Sequence, residues 1–258
     1  MFIFEFFDFG DECLYSTAII TRMFLLHSYH HADVLFNSHI CFADKLRQLS
    51  QHLRGVFEEV LADGDIFTAA RALELRSVFT LSFACGDRGS ETGKLRTVNL
   101  MTGKAPGLVT IDFEAVDRGT DLTFAGRGKK QSRSRTTAAY DVPRSTDPDL
   151  DAGPILLDYL AFMGDCEFVD LSPPTGTPSF VFPRVQRGST SFVNLPFTSA
   201  AIRYGLRKYL TVLDLYAGET AHSLTRGGRI VSPLSNEELA TKLSLTAKTI
   251  ALYRDIRR

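Results

Sequence analysis

Apolar residues recur every three or four positions in "FADKLRQLSQHLRGVFEEVLADG", residues 42–64, where Leu46, Leu49, Leu53, Val56, Phe57, Val60 and Leu61 share one side of a helix and Gly64 stops it. A second helical run, "IFTAARALELRSVFTLSFACG", ends on Gly86, a residue suited to the left-handed cap that closes a helix. The polar stretch "DRGSETGKLRTVNL" that follows predicts a turn into a short helix. The period then changes. "GLVTIDFEAV", "TDLTFAGRGKKQSRSR" and "TTAAYDVP" alternate or run apolar between Gly, Asp and Pro, which predicts a small antiparallel sheet. Helical spacing returns at about 153–163 and 198–214, and "DLSPPTGTPS" at 170–179 is a loop between them. Near the end, Ser235 and Glu238 stand in capping-box positions, and "TAKTIALYRDI" starts a last helix with Thr246 as its cap. The expected fold class is α+β, mostly helical, with one small sheet in the middle.

Composition adds constraints to that outline. The 258 residues are 44% apolar, enough for an ordinary core, and 29 Lys and Arg against 30 Asp and Glu give a net charge of -1. Any affinity for phosphate must therefore be local. Cys13, Cys41, Cys85 and Cys166 are scattered without C-x-x-C spacing, which argues against a zinc site or a disulfide scaffold and fits a reducing compartment. In the opening stretch, Glu5, Asp8, Asp11, Glu12 and Arg22 interrupt each apolar run before it reaches spanning length, so no membrane segment is expected. His27, His30 and His31 lack further ligands at a convincing spacing, and no metal or cofactor is expected.

Local charge is where the candidate chemistry lies. Arg127, Lys129, Lys130, Arg133 and Arg135 put five cations into nine residues with no acid among them. Arg88 sits at a turn between helices, and "AGETAHSLTRGGRI" sets His222 and Arg226 four residues apart, one helical turn, facing the same way. Tyr253 lies on the last helix. Taken singly these mean little: an H-x-x-x-R turn is common, and a lone arginine at a helix start is most often a cap or salt-bridge group.

In order, Arg, Lys, His-x-x-x-Arg and Tyr suit the attack of a tyrosine hydroxyl on a DNA phosphodiester. Two guanidiniums, Arg88 and Arg226, would clamp the non-bridging oxygens of the pentavalent transition state. Lys129, with Lys130 second, would protonate the leaving 5′-oxygen, His222 would assist proton transfer beside the phosphate, and Tyr253 would become covalently attached. Arg127, Lys130, Arg133 and Arg135 would hold the DNA backbone.

These segments resemble the catalytic domain of tyrosine recombinases and integrases, in the form found in eukaryotic mobile elements such as tyrosine-recombinase retrotransposons and Cryptons. "FACGDRGSETGKLRTVNLM" is similar to the family's first arginine box, placing its arginine at Arg88 and its acidic helper at Glu91. "FAGRGKKQSR" resembles the lysine hairpin, with Lys129 as the lysine, and residues 194–228 are similar throughout to the histidine and second-arginine segment. Ser244 occupies the position nine residues before Tyr253 where the family carries histidine or tryptophan. The resemblance spans residues 42–258, leaving 1–41 as an N-terminal extension. It implies strand cleavage and rejoining through a 3′-phosphotyrosine, double-stranded DNA as partner, self-association on DNA, no cofactor, and a nuclear location in a eukaryote or a cytoplasmic one otherwise. The rival expectation is a catalytically degenerate remnant that binds DNA or a protein partner.

Overall fold

The computed structural model describes residues 41–102, 108–111, 139–171, 178–232, 234–242, 247, 248, 250 and 251. Helix α1 (Phe42–Ala62) is amphipathic and buries Leu46, Leu49, Leu53 and Val60. Helix α2 (Ile66–Cys85) is different: from Ala69 onward almost every side chain is buried, so it is apolar all round and forms the hub of the domain. Around it pack α1, a one-turn helix α3 (Gly89–Thr92), α4 (Ala152–Asp165), α5 (Ser199–Val212) and α6 (Ala221–Val231). A last short helix, α7 (Asn236–Lys242), joins helical residues near 250 in a small separate cluster of Leu239, Ala240 and Ile250.

The sheet in the middle is three-stranded and antiparallel, in the order β1 (Leu100–Thr102), β2 (Val109–Ile111), β3 (Tyr140–Asp141). Its register pairs Leu100 with Ile111 and Ile111 with Tyr140, so the apolar side of each strand faces the core together. The first strand departs from expectation. In the stretch read as a turn into a short helix, α3 spans one turn and ends at Thr92, a 3₁₀ turn covers Thr97–Asn99, and Leu100 begins a strand where none is expected. Just past α3, Gly93 approaches the Phe197 carbonyl so closely that an added Cβ would lie 2.1 Å from that oxygen.

A two-stranded hairpin, β4 (Pro183–Val185) with β5 (Phe192–Pro196), was not expected from the pattern. Prolines at both ends hid it, although Gly188 at φ 67° marks its turn and Phe182 is buried against Tyr159 with ring centroids 5.4 Å apart. Between β3 and α4 the chain is tied down by Asp149, which accepts from Gln51 on α1 and Arg76 on α2 and forms an ion pair with Arg54 of α1. Among the described residues no helix is long and apolar enough to cross a membrane.

Candidate functional site

Helix α2 closes on Gly86, at φ 67°, and the chain turns through Asp87 and Arg88 into α3. Arg88 is the residue just before the first turn, and its backbone N–H donates to the Glu91 carboxylate at 3.1 Å. Glu91 therefore caps the short helix and fixes the backbone from which the Arg88 side chain leaves. Expected as an acidic helper, it acts here on Arg88 through the main chain.

Helix α6 supplies the second half. Thr220 starts it, with its N–H donating to Ser223 Oγ at 3.0 Å, and His222 and Arg226 follow one turn apart. What lays α6 against the bend at 86–88 is the pair Gly227 and Gly228. A Cβ on Gly227 would meet Phe42 at 2.8 Å and Phe83 at 3.0 Å, and one on Gly228 would lie 1.8 Å from the Phe83 carbonyl oxygen. With backbones this close, Thr225 Oγ1 donates to the Asp87 carbonyl at 2.8 Å and Arg229 Nε to the Gly86 carbonyl at 3.1 Å. The Asp87 carboxylate in turn accepts from the buried Tyr140 hydroxyl on β3, whose proton is held firmly by burial first and by the neighbouring Cys85 and Asp87 second. The two sequence boxes are thus joined through main-chain carbonyls, and the Arg88 loop has little freedom.

Between them opens a cavity of about 260 Å³ lined by Arg88, Gly89, Ser90, Ser199, Ala221, His222 and Thr225. The first turns of α3, α5 and α6 all contribute to its wall. Unpaired N–H groups and positive dipole ends gather at helix starts, so this geometry adds to the Arg88 charge and favours an anion. Arg226 is not in the wall but stands half-buried one turn beyond His222. Its charge reaches the imidazole: burial, then Arg229, Arg226 and Arg88, hold the His222 pKa below the ordinary value. The shift favours the uncharged imidazole, the form able to accept a proton, although the His222 side chain itself is exposed. Among the described residues no group of His, Cys, Asp and Glu is arranged to hold a metal ion.

The loop that delivers α6 is pinned from far away. Lys45 on α1 donates to the Leu215 carbonyl at 2.8 Å and pairs with Glu219 at 2.6 Å, both side chains being about 10% exposed or less. Glu219 Oε2 also accepts the Ala217 N–H at 2.6 Å. Burial pushes the Glu219 carboxyl up, but these hydrogen bonds outweigh it and leave the pKa lowered. Lys45, Ser90, Ser199, Tyr140 and Thr225 were not singled out by sequence; the available signal was Lys45 itself, a lysine beside Leu46 on the apolar side of its helix.

Of the sequence-predicted residues, Arg88 and His222 line the cavity, Arg226 acts on it electrostatically, and Glu91 caps α3. Arg127, Lys129, Lys130, Arg133 and Arg135, between β2 and β3, and Ser244, Tyr253 and the histidines at 27, 30 and 31 lie outside the described residues. Comparison of the chain with protein-family models, with curated proteins and with solved structures finds no match.

Two measurements check this geometry. The His222 imidazole is expected to titrate below the ordinary histidine value by NMR, and Arg88→Ala is expected to move its midpoint upward; an unmoved midpoint means that Arg88 does not face His222. Because the folded value is the lower one, the unfolded chain takes up the proton first, so His222 lowers stability as pH falls through the ordinary imidazole range. Lys45→Met, which leaves a buried carboxylate unpaired, is expected to cost on the order of 3 kcal/mol in denaturant unfolding. A change below about 0.5 kcal/mol, the range of surface substitutions, would show the pair to be dispensable.

Proposed function

We propose that the chain cleaves and rejoins DNA strands through a covalent 3′-phosphotyrosine intermediate, as a site-specific recombinase or integrase of a mobile element. The observation that carries the reading is that Arg88 and His222, 134 positions apart in sequence, face one cavity at the starts of three helices with Arg226 in electrostatic reach. That is an environment suited to a phosphodiester, positive and rich in hydrogen-bond donors.

In the proposed step the Tyr253 oxygen attacks phosphorus, its proton passing to the neutral His222, while the bond to the 5′-oxygen breaks and that oxygen takes a proton from Lys129. Arg88 holds the non-bridging oxygens as charge grows on them, and Arg226, one turn beyond His222 and outside the cavity wall, adds its positive charge. Rejoining is the reverse, a 5′-hydroxyl displacing the tyrosine. The groups balance the step among themselves. Assembly of several copies on the DNA, and a nuclear location in a eukaryote, accompany this reading.

Ser244, in the position that carries an imidazole or indole in the resembled family, favours a second reading, a binding module that has lost the chemistry. Incubation with a pool of nicked suicide duplexes separates the two. A covalent protein–DNA band on a denaturing gel, absent in Tyr253→Phe although that variant still binds the duplex, is expected. Binding without any band would end the catalytic proposal.

A further inference from the structure

From Leu171 to Leu213 the chain contains no Asp or Glu, although an even spread of its 30 acidic residues over 258 positions would put five there; in the same span stand Arg184, Arg187, Arg203, Arg207 and Lys208. In a protein of net charge -1 this is a strongly one-sided segment. Its described part folds into the β4–β5 hairpin and α5, which follow one another with only Phe197 and Thr198 between them.

Helix α5 begins inside the candidate site, since Ser199, its first residue, lines the cavity. Ser199, Arg203 and Arg207 follow at successive steps of four, the spacing that keeps side chains on one face, each step advancing about 6 Å along the axis. Arg203, Tyr204, Arg207 and Thr211 are exposed, while Ile202, Gly205, Leu206 and Leu210 fill the core side. Arg184 and Arg187 are exposed on the hairpin. Among the described residues none of these four arginines pairs with a carboxylate; Arg207 lies over the Tyr216 ring, 6.0 Å from its centroid. Lys208 differs. It is turned onto Tyr209, which packs against His52 of α1 near Glu59, and so belongs to the flank facing α1.

We propose that the β4–β5 hairpin and the outer face of α5 form a binding surface for the phosphate backbone of a nucleic-acid duplex, with Arg203 and Arg207 as a track leading away from the cavity and Arg184 and Arg187 as its extension. Four exposed guanidiniums without an intervening acid in sequence match a polyanion, and exposed arginine is the side chain best shaped for phosphate oxygens. Continuity with the cavity sets the partner: a strand whose one phosphate enters beside Arg88 continues along α5. The choice of partner rests on the reading of the cavity as a phosphate site; the charge pattern does not.

The test is the salt dependence of affinity for a labelled 30-base-pair duplex. Arg203→Ala/Arg207→Ala and Arg184→Ala/Arg187→Ala are each expected to reduce the slope of log affinity against log salt by about 2, since each phosphate contact contributes about 0.9. Arg203→Lys/Arg207→Lys, which keeps the charges, is expected to retain it. An unchanged slope in either alanine pair overturns the surface, as does wild-type binding to phosphatidylserine vesicles with none to the duplex. The outcome is separable from the catalytic reading: reduced slopes without a covalent adduct support the surface and remove the chemistry, whereas an adduct with unchanged slopes removes the surface and leaves the chemistry.

Discussion

Gly228→Ala is expected to cost about 3 kcal/mol or more and to lower the melting temperature by roughly 10 °C. The reason is the contact between backbones at the candidate site. A Cβ at this position would lie 1.8 Å from the Phe83 carbonyl oxygen and 2.8 Å from its carbon, and neither atom is the end of a flexible side chain that can swing away. Helix α6 must retreat from the end of α2, and retreat stretches the bonds from Thr225 to the Asp87 carbonyl and from Arg229 to the Gly86 carbonyl. The loss is therefore expected in two readouts, stability and the shape of the site. Gly55→Ala provides the opposite sign in the same chain: it sits mid-way along α1, exposed, with nothing within 4 Å of its added Cβ, and is expected to stabilise by about 0.5–1 kcal/mol. If both variants melt near the wild type, the close approach of α6 to α2 is wrong.

The contrast between these glycines shows what a single sequence makes legible. Periodicity revealed α1 and α5 because each has one apolar face, and it revealed α2 because Gly86 ends a long apolar run. It missed β1, where three residues follow a helical turn too short to carry a period, and it missed β4 and β5, where prolines break the alternation. At the site, spacing placed His222 and Arg226 on one helix face, and the helical turn made their proximity predictable. That Arg88 would join His222 depended on long-range packing through Gly227, Gly228 and Gly89, whose meaning is a distance to side chains or backbone of another element and has no periodic signature. The same holds for Lys45, which supports the "GETAH" turn from 174 residues upstream. The acid-free span from 171 to 213 was visible in sequence, but only the fold shows that its helix begins in the cavity wall.

Arg88→Ala is expected to slow formation of the covalent protein–DNA adduct by about 10²–10³-fold, the usual cost of deleting one group that binds charge developing in the transition state. Helix α3 is expected to start as before, because the Arg88 backbone N–H held by Glu91 is retained by alanine. Arg88→Lys makes the argument sharper. A lysine restores the charge but not the planar fork, so ground-state DNA affinity is expected to return nearly to wild type while the adduct rate recovers only in part. Single-turnover trapping on a nicked duplex, run beside equilibrium binding, reads both quantities. Should the alanine variant form the adduct at the wild-type rate, Arg88 does not contact the reacting phosphate and the cavity beside it is not where the strand is cut. Should rate and affinity instead fall together by the same factor in alanine and lysine variants alike, the arginine shapes the site and the anion is held by the helix starts and His222.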